Sequence, residues 1–511
     1  MKKPQSKLSL FFIIILGIFL WGTALRIVEL INGNFLFGVD NGRDFLAAYN
    51  IVVNHKLTLI GSEAGSGVAG INGIFHGPGY FYLIALSYVL FHGDPIGAEI
   101  FMLIFGLVTL LVSAWVGYKM LGKLGAVLFM FFTAISPLVV SQSRFIWSVH
   151  PITVFVILAL YFVYRIPDKP HFYVPLAVLA AGFTYNFQIG VAIPLTASIL
   201  LSLPILFKIR DWKTYVYAFI ALIFAFFPML LFEMRHGFMA VRSALAYISS
   251  GGSGGSIFEA KRISSHAFDY WNNFYNTFTF EFGWIPWNIQ MIMLYITMPV
   301  VFLGLFKVHE GKMKRFVWFL LFMIVFTCLA YLLLNNTVWD YYLTHNRFAY
   351  ILLFIIAGIA LLRSLKQSLV SKMGVVIGMI FIAVVFCGSI FRMYITYTLD
   401  LHDMGVYDKI YGKRLVIDTI YKDAAGKPFS VLVFMPSVYT YPYTYLFETY
   451  GKSKYGYVPK DDKVGLAYLV IEPDKNQPWR QKGWLETVVQ GGKSIWVKTL
   501  LNGLILEKRI Y

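Results

Sequence analysis

Apolar residues in this chain gather into long unbroken runs. They do not alternate as in half-buried strands or form the one-sided stripe of surface helices. Eleven runs are long enough, or nearly so, to cross a bilayer as helices: Leu8–Arg26, Ala98–Tyr118, Leu124–Val140, Val149–Tyr164, Phe172–Phe187, Ile189–Phe207, Tyr215–Leu231, Ile289–Phe306, Phe316–Leu334, Phe348–Leu362 and Val375–Phe391. A further run, Tyr80–Phe91, has only 12 residues and follows Gly77-Pro78-Gly79, which predicts an interfacial or re-entrant segment. After about Tyr394 charges and prolines return, with strand-like runs at Ser430–Phe434 and Leu466–Ile471. The expected fold is an all-α polytopic membrane protein of about 11 transmembrane helices with juxtamembrane helices in the first outer loop. A small C-terminal α+β exterior domain follows, with the division drawn as 1–393 and 394–511.

Composition agrees, with 58% hydrophobic and 18% aromatic residues and a mean hydropathy of +0.68 over 511 residues. The net charge of +17 would fit nucleic-acid binding if it were spread over a soluble surface. Its placement says otherwise. With the N-terminus inside and Tyr80–Phe91 not crossing, the inner ends carry 17 basic residues against three acids. The outer loops up to Arg347 carry nine against 11, so the positive-inside rule holds throughout. Counting Tyr80–Phe91 as a span would invert every later loop. Lys2, Lys3 and Lys7 ahead of an apolar run ending near Gly22-Thr23-Ala24 would also fit a cleavable signal peptide, but ten more spans follow. Cys328 and Cys387 lie inside predicted spans, so no disulfide framework is expected.

Against this background the stretch Val39-Asp40-Asn41-Gly42-Arg43-Asp44 stands out, with two carboxylates and a guanidinium in five residues just beyond the first span. If Asp40 opens a helix, Arg43 and Asp44 share its face one turn later. The same letters also fit plain helix-start chemistry. Further ionisable or polar groups gather at the outer level: His76, Arg144, His150, Glu233, Arg235, His236, Tyr341, His345 and Arg347. Individually they could snorkel or cap. Together they predict a cavity for a substrate with a negatively charged lipid phosphate and a neutral, hydroxyl-rich part. The Ser/Gly run Ser249–Ser256 lacks the Gly-Lys-Ser/Thr ending of a phosphate loop and predicts a hinge for a mobile lid. The aromatic stretch Trp271 to Trp287 fits an interfacial belt or sugar stacking.

Three features carry a resemblance: Asp40 in its first-loop helix, the Pro-aromatic sequence His76-Gly77-Pro78-Gly79-Tyr80-Phe81-Tyr82-Leu83, and the Arg144 turn after the third span. The chain resembles the C-type glycosyltransferases (GT-C) of the protein O-mannosyltransferase and aminoarabinose-transferase superfamily over Leu8 to Leu231, and beyond that in architecture only. The resemblance implies an enzyme of the cell (plasma) membrane that takes a sugar from a polyprenyl-phosphate carrier and delivers it, with inversion, to a glycan, lipid or protein acceptor outside. It implies Asp40 as general base with Asp44 as its rival. It makes Arg43, Arg144, Arg235, His236 and Arg347 candidates for the leaving phosphate, within a substrate-binding set completed by His76, His150, Glu233, Tyr341 and His345. The implied partners are the lipid-linked donor, the acceptor and membrane lipids, with no nucleic acid. Two departures bear on cofactors: Asn41 follows Asp40 where the family often has Asp-Glu, and Ser148 and His150 stand where many relatives carry an acid. No cofactor is therefore assigned, and a divalent metal between carboxylates is left open. The competing readings are a polysaccharide polymerase or ligase with the same donor, a transporter or flippase, and a scaffold presenting the tail. Spans almost free of charge, with the polar groups at one face, argue against transport.

Overall fold

The computed structural model describes residues 9–64, 73–249, 260–281, 283–309, 311–332, 337–365, 369–405, 408–436, 438–463, 465–474, 476–500 and 503–511. Each of the eleven apolar runs contains a helix. Runs two and three join as one element, Ile96–Ile135, interrupted at Gly122 with φ 76° and ψ −163°. A β-carbon on Gly117 would lie 2.4 Å from the carbonyl oxygen of Gly125, so the chain doubles back on itself and the two limbs form a tight hairpin. Only glycine adopts that backbone geometry without strain.

Among the described residues five helical segments are long and apolar enough to cross a membrane: Ile96–Ile135, Trp287–Phe306, Lys312–Tyr331, Asp340–Arg363 and Leu369–His402. A sixth arises if Trp212–Ala225 and Phe227–Arg235, bent by 70° at the Phe226-Phe227-Pro228 break, form one span. Shorter apolar helices, Leu10–Ala24, Ile152–Arg165 and Ile189–Ile205, complete the bundle together with Pro170–Phe183. Exposed Phe219, Phe224, Ile292 and Phe302 line its outside, where hydrocarbon is the favourable solvent. The chain is a multi-pass membrane protein. Gly79–Leu90, the 12-residue run, lies against the first-loop helix Val39–Val52.

The last long helix runs to Thr398, so the drawn boundary at 393 falls in its final turns. Beyond it, helix Ile410–Ala424 packs on a four-stranded sheet of order β1-β2-β4-β3, with β1 Ser430–Phe434, β2 Leu466–Ile471, β3 Lys493–Thr499 and β4 Ile505–Ile510. β1 runs parallel to β2, and the other pairs are antiparallel. Inside this unit Lys413 and Glu472 form a fully buried ion pair at 2.7 Å, and the Tyr443 hydroxyl donates to the same carboxylate at 2.9 Å.

This terminal unit is fastened to the first loop. The Ile410 N–H donates to the Phe35 carbonyl at 3.0 Å, and the Phe37 N–H donates to the Asp408 carbonyl at 2.9 Å. Arg414 pairs with Asp94 at 2.9 Å, and the Tyr445 hydroxyl donates to the Gly93 carbonyl at 2.6 Å. Phe37, Phe45 and Tyr445 pack as one aromatic cluster with centroids 5.1–6.0 Å apart. Helix Tyr441–Leu446 comes so close to Val39–Val52 that a β-carbon on Gly42 would lie 2.3 Å from the Pro442 nitrogen.

Candidate active site

Helix Val39–Val52 is capped at Gly38, so Asp40 stands inside its first turn. Asn41 explains how the helix is aimed. Its Oδ1 accepts the Gly38 N–H at 2.9 Å, and its Nδ2 donates to the Ile146 carbonyl at 2.7 Å, bracketing the helix start to the turn after the third span. Both jobs require an amide, because a carboxylate has no donor for the carbonyl.

The expected shared face exists. Arg43 donates to Asp40 at 2.7 Å and to Asp44 at 2.8 Å. Their surroundings differ sharply, since the Asp40 side chain is 65% exposed and that of Asp44 is 3%. Burial pushes the Asp44 carboxyl up to about 7 despite the neighbouring guanidinium. Tyr80, buried on Gly79–Leu90, lies within electrostatic range of both carboxylates, and its hydroxyl has no hydrogen-bond partner among the described residues. His76 is also buried. Its Nδ1 accepts the Ile189 N–H at 3.1 Å, and burial, aided by the Arg43 charge, lowers its pKa to about 4, so it is neutral near pH 7. The glycines beside it are spacers, because β-carbons on Gly77 and Gly79 would lie 2.7 and 2.6 Å from Tyr185 and Asn186.

Across from this helix the Trp147 ring packs edge-on against Tyr341, with centroids 4.6 Å apart. Tyr341 in turn lies within electrostatic reach of Asp40. Beneath these rings is a cavity of about 330 Å³ lined by Gln142, Trp147, His150, Asp340, Tyr341 and Arg347, among others. Arg347 is only 1% exposed; its Nη2 donates to the Asp340 carbonyl at 3.0 Å, while Nε and Nη1 have no partner among the described residues. Unmatched donors at such depth are costly, so this wall of the cavity offers two N–H groups to any acceptor that enters. His150 lines the same space, with Nδ1 unpartnered among the described residues. His345 turns elsewhere, its Nε2 meeting the Thr327 hydroxyl at 2.8 Å.

Other expected residues are placed apart. Arg144 is committed: it grips Glu29 at 2.6 Å and Asp400 at 2.7 Å, and Arg392 shares Asp400 at 2.8 Å. These groups line a separate cavity of about 390 Å³. Both Glu233 carboxylate oxygens cap helix Met239–Ser249, accepting the N–H groups of Ala240 and Val241 at 3.0 and 3.1 Å. Arg235 and His236 are exposed, the latter stacked on Phe232 at 4.1 Å. This group reaches the His76 loop through Phe232 on Phe75. Most of the Ser249–Ser256 hinge lies outside the described residues.

Several residues escaped the sequence reading. Glu99, 1% exposed, has an Oε2 without a hydrogen-bond partner among the described residues and lies within electrostatic range of Glu29, Arg144 and Tyr80. An acid as the second residue of an apolar run was the available signal. Glu29 and Asp400 gave none, since their partner is far away in sequence. A divalent metal does not fit the carboxylate pair, because Arg43 already bridges Asp40 and Asp44. Among the described residues no group of three His, Cys, Asp or Glu side chains could hold one.

No family model matches the sequence, and no curated protein matches it. Solved structures do. ArnT from Cupriavidus metallidurans bound to undecaprenyl phosphate is similar with a TM-score of 0.56 at 13% identity, covering 98% of this chain and 97% of that one. The apo form of the same protein gives 0.57 at 12%, with equal coverage. The likeness is one of fold, end to end.

Proposed function

We propose that this protein is a membrane glycosyltransferase that moves a sugar from a polyprenyl-phosphate carrier to a glycan, lipid or protein acceptor at the outer membrane face. The observation that carries the reading is the full-length likeness to ArnT, whose crystal structure holds undecaprenyl phosphate. The charge bias of the loops supports a cytoplasmic N-terminus and an exterior 394–511 region.

In this reading Asp40, the accessible carboxylate, takes the proton of the acceptor hydroxyl as that oxygen bonds to the anomeric carbon. The bond from that carbon to the carrier phosphate breaks on the opposite face, and the configuration inverts. Asp40 returns the proton to water. Arg43 holds Asp40 in place, and Asp44 anchors Arg43 from inside. The departing phosphate gains negative charge, and Arg347 is the best-placed cation to meet it, because its side chain is buried at the cavity wall with Nε and Nη1 unpartnered among the described residues. Trp147 and Tyr341 supply apolar ring faces for the sugar.

The test is transfer from a purified polyprenyl-phosphate sugar. Asp40→Asn keeps the helix start intact and loses roughly a hundredfold or more in turnover. Arg347→Gln raises the donor KM more than it lowers kcat if it holds ground-state phosphate, and lowers both kcat and kcat/KM if it acts only on the leaving group. A folded Asp40→Asn protein with full turnover would remove Asp40 from the role, and lipid-linked donors that no preparation consumes would overturn the transferase reading itself.

A further inference from the structure

At the end of the bundle away from Asp40, the spans leave a gap of about 250 Å³. Its walls come from the second limb of the hairpin, from Trp287–Phe306, from Thr344–Arg363 and from Leu369–Thr398, and they include Leu128, Phe132, Val301 and Phe381. Thr297 is the one polar side chain in the lining, and its hydroxyl already donates to the Met293 carbonyl at 2.7 Å. Water has nothing to bond there.

Glycines hold the gap open. Gly358 and Gly378 line it, and neither has any atom within 4 Å of the place a β-carbon would take. Gly304 shows the contrast: its β-carbon would lie 2.6 Å from the Ala357 carbonyl, where glycine serves close helix approach. A mid-helix glycine costs about 1 kcal/mol relative to alanine, and at Gly358 and Gly378 no close contact explains it. The gap opens sideways past Leu124 and Met379, which are exposed on the lipid-facing side. What fills it is therefore a hydrocarbon chain.

Charge identifies the rest of that molecule. Lys123 precedes Leu124, Arg363 follows Leu362, and Lys372 stands two residues before Gly374, so three cations sit in sequence beside wall residues from three helices. All three are exposed. Arg363 and Lys372 form no ion pair among the described residues, and Lys123 makes only a cation–π contact with Phe11 at 5.8 Å. An apolar slot with a rim of free cations matches a lipid with an anionic head. We propose that this gap binds one anionic phospholipid of the adjacent leaflet, its acyl chain between Gly358 and Gly378 and its phosphate among Lys123, Arg363 and Lys372. The site is independent of the transferase reading, since it lies at the other end of the spans.

The experiment is thermal denaturation of the purified, delipidated full chain in detergent, with dioleoylphosphatidylglycerol, dioleoylphosphatidylcholine or undecaprenyl phosphate added. The wild type gains a few degrees with the phosphatidylglycerol and much less with the phosphatidylcholine. Gly358→Leu with Gly378→Leu fills the slot and abolishes the gain. Should that pair fold poorly, Gly358→Ala with Gly378→Ala reads the same loss in weaker form. Arg363→Gln with Lys372→Gln, changed only at exposed positions, keeps the unliganded midpoint and loses the preference for the anionic head. Equal gains from both phospholipids, or a gain that survives in the leucine variant, would overturn the proposal. So would a larger gain from undecaprenyl phosphate that the leucine variant loses, because the slot would then belong to the carrier.

Discussion

Asp40 and Asp44 share Arg43 and one helix face, yet one meets solvent and the other is sealed. The consequence is a pH signature. An unfolded chain releases the Asp44 proton near the ordinary aspartate value of about 4, whereas the folded protein keeps it to about 7. The folded state then binds more protons across that window, so this residue's contribution to stability falls as pH rises from about 4 to 7. Buried His76 works in the opposite sense, its contribution being lost as pH falls from about 6.5 to 4. The net slope is thus a difference, and the informative measurement compares melting of wild type and Asp44→Asn across this range. The variant should lose the Asp44 component and gain stability relative to wild type as pH rises. Arg144 gives a second residue-scale prediction. Removing its guanidinium in Arg144→Met leaves Glu29 unmatched and Asp400 with Arg392 alone, and should cost on the order of 3 kcal/mol in thermal or denaturant unfolding; a raised donor KM with unchanged stability would instead return Arg144 to carrier binding. The Asp40–Arg43–Asp44 face was legible in the sequence because helical spacing is a local rule. The Arg144 network was not, because its partners lie 115 and 256 residues away and no local pattern reports them.

Among the elements, the apolar runs were legible for a simple reason: a segment in hydrocarbon must satisfy its own backbone hydrogen bonds, so uniform apolarity over sufficient length implies a helix. Strands β1 and β2 were legible from their β-branched and aromatic content between turn residues. What stayed hidden was contact between elements. Nothing in the letters Asn41-Gly42-Arg43 says that Pro442 lies against that glycine. Gly42→Ala should therefore do what an ordinary helix-stabilising change would not. The added methyl meets rigid backbone on helix Tyr441–Leu446 and should destabilise by about 1–3 kcal/mol. Limited proteolysis checks it, with faster cleavage expected within the terminal unit while the spans stay protected. Cleavage unchanged from wild type would mean that helix Tyr441–Leu446 can shift at no cost.

For the whole molecule, composition and charge placement made the membrane class and the strand-bearing C-terminal region legible, but not how closely the two regions are joined. Phe35, Phe37 and Phe45 of the first loop are buried to within 1%, with the terminal unit against Phe35, Phe37 and Phe45. A chain ending at Asp403 would bare them and lose the Arg414 and Tyr445 links. It should purify as an aggregated or unstable species without transfer activity, as size-exclusion chromatography and the donor assay would show; a monodisperse, active truncation would establish that the terminal unit is dispensable. The same joint sets a timetable. Tyr411 and Asn34, hydrogen-bonded at 3.1 Å, are 377 residues apart. At about 5–20 residues per second of synthesis, the first loop waits roughly 20 to 75 s after it emerges before its partner is made. Throughout that interval three phenylalanines and the strand-like edge at Leu36 stand uncovered outside the growing bundle. A newborn molecule of this protein is thus a client for a chaperone on that side of the membrane, and ribosome pausing before residue 410 should lower its yield more than pausing after it.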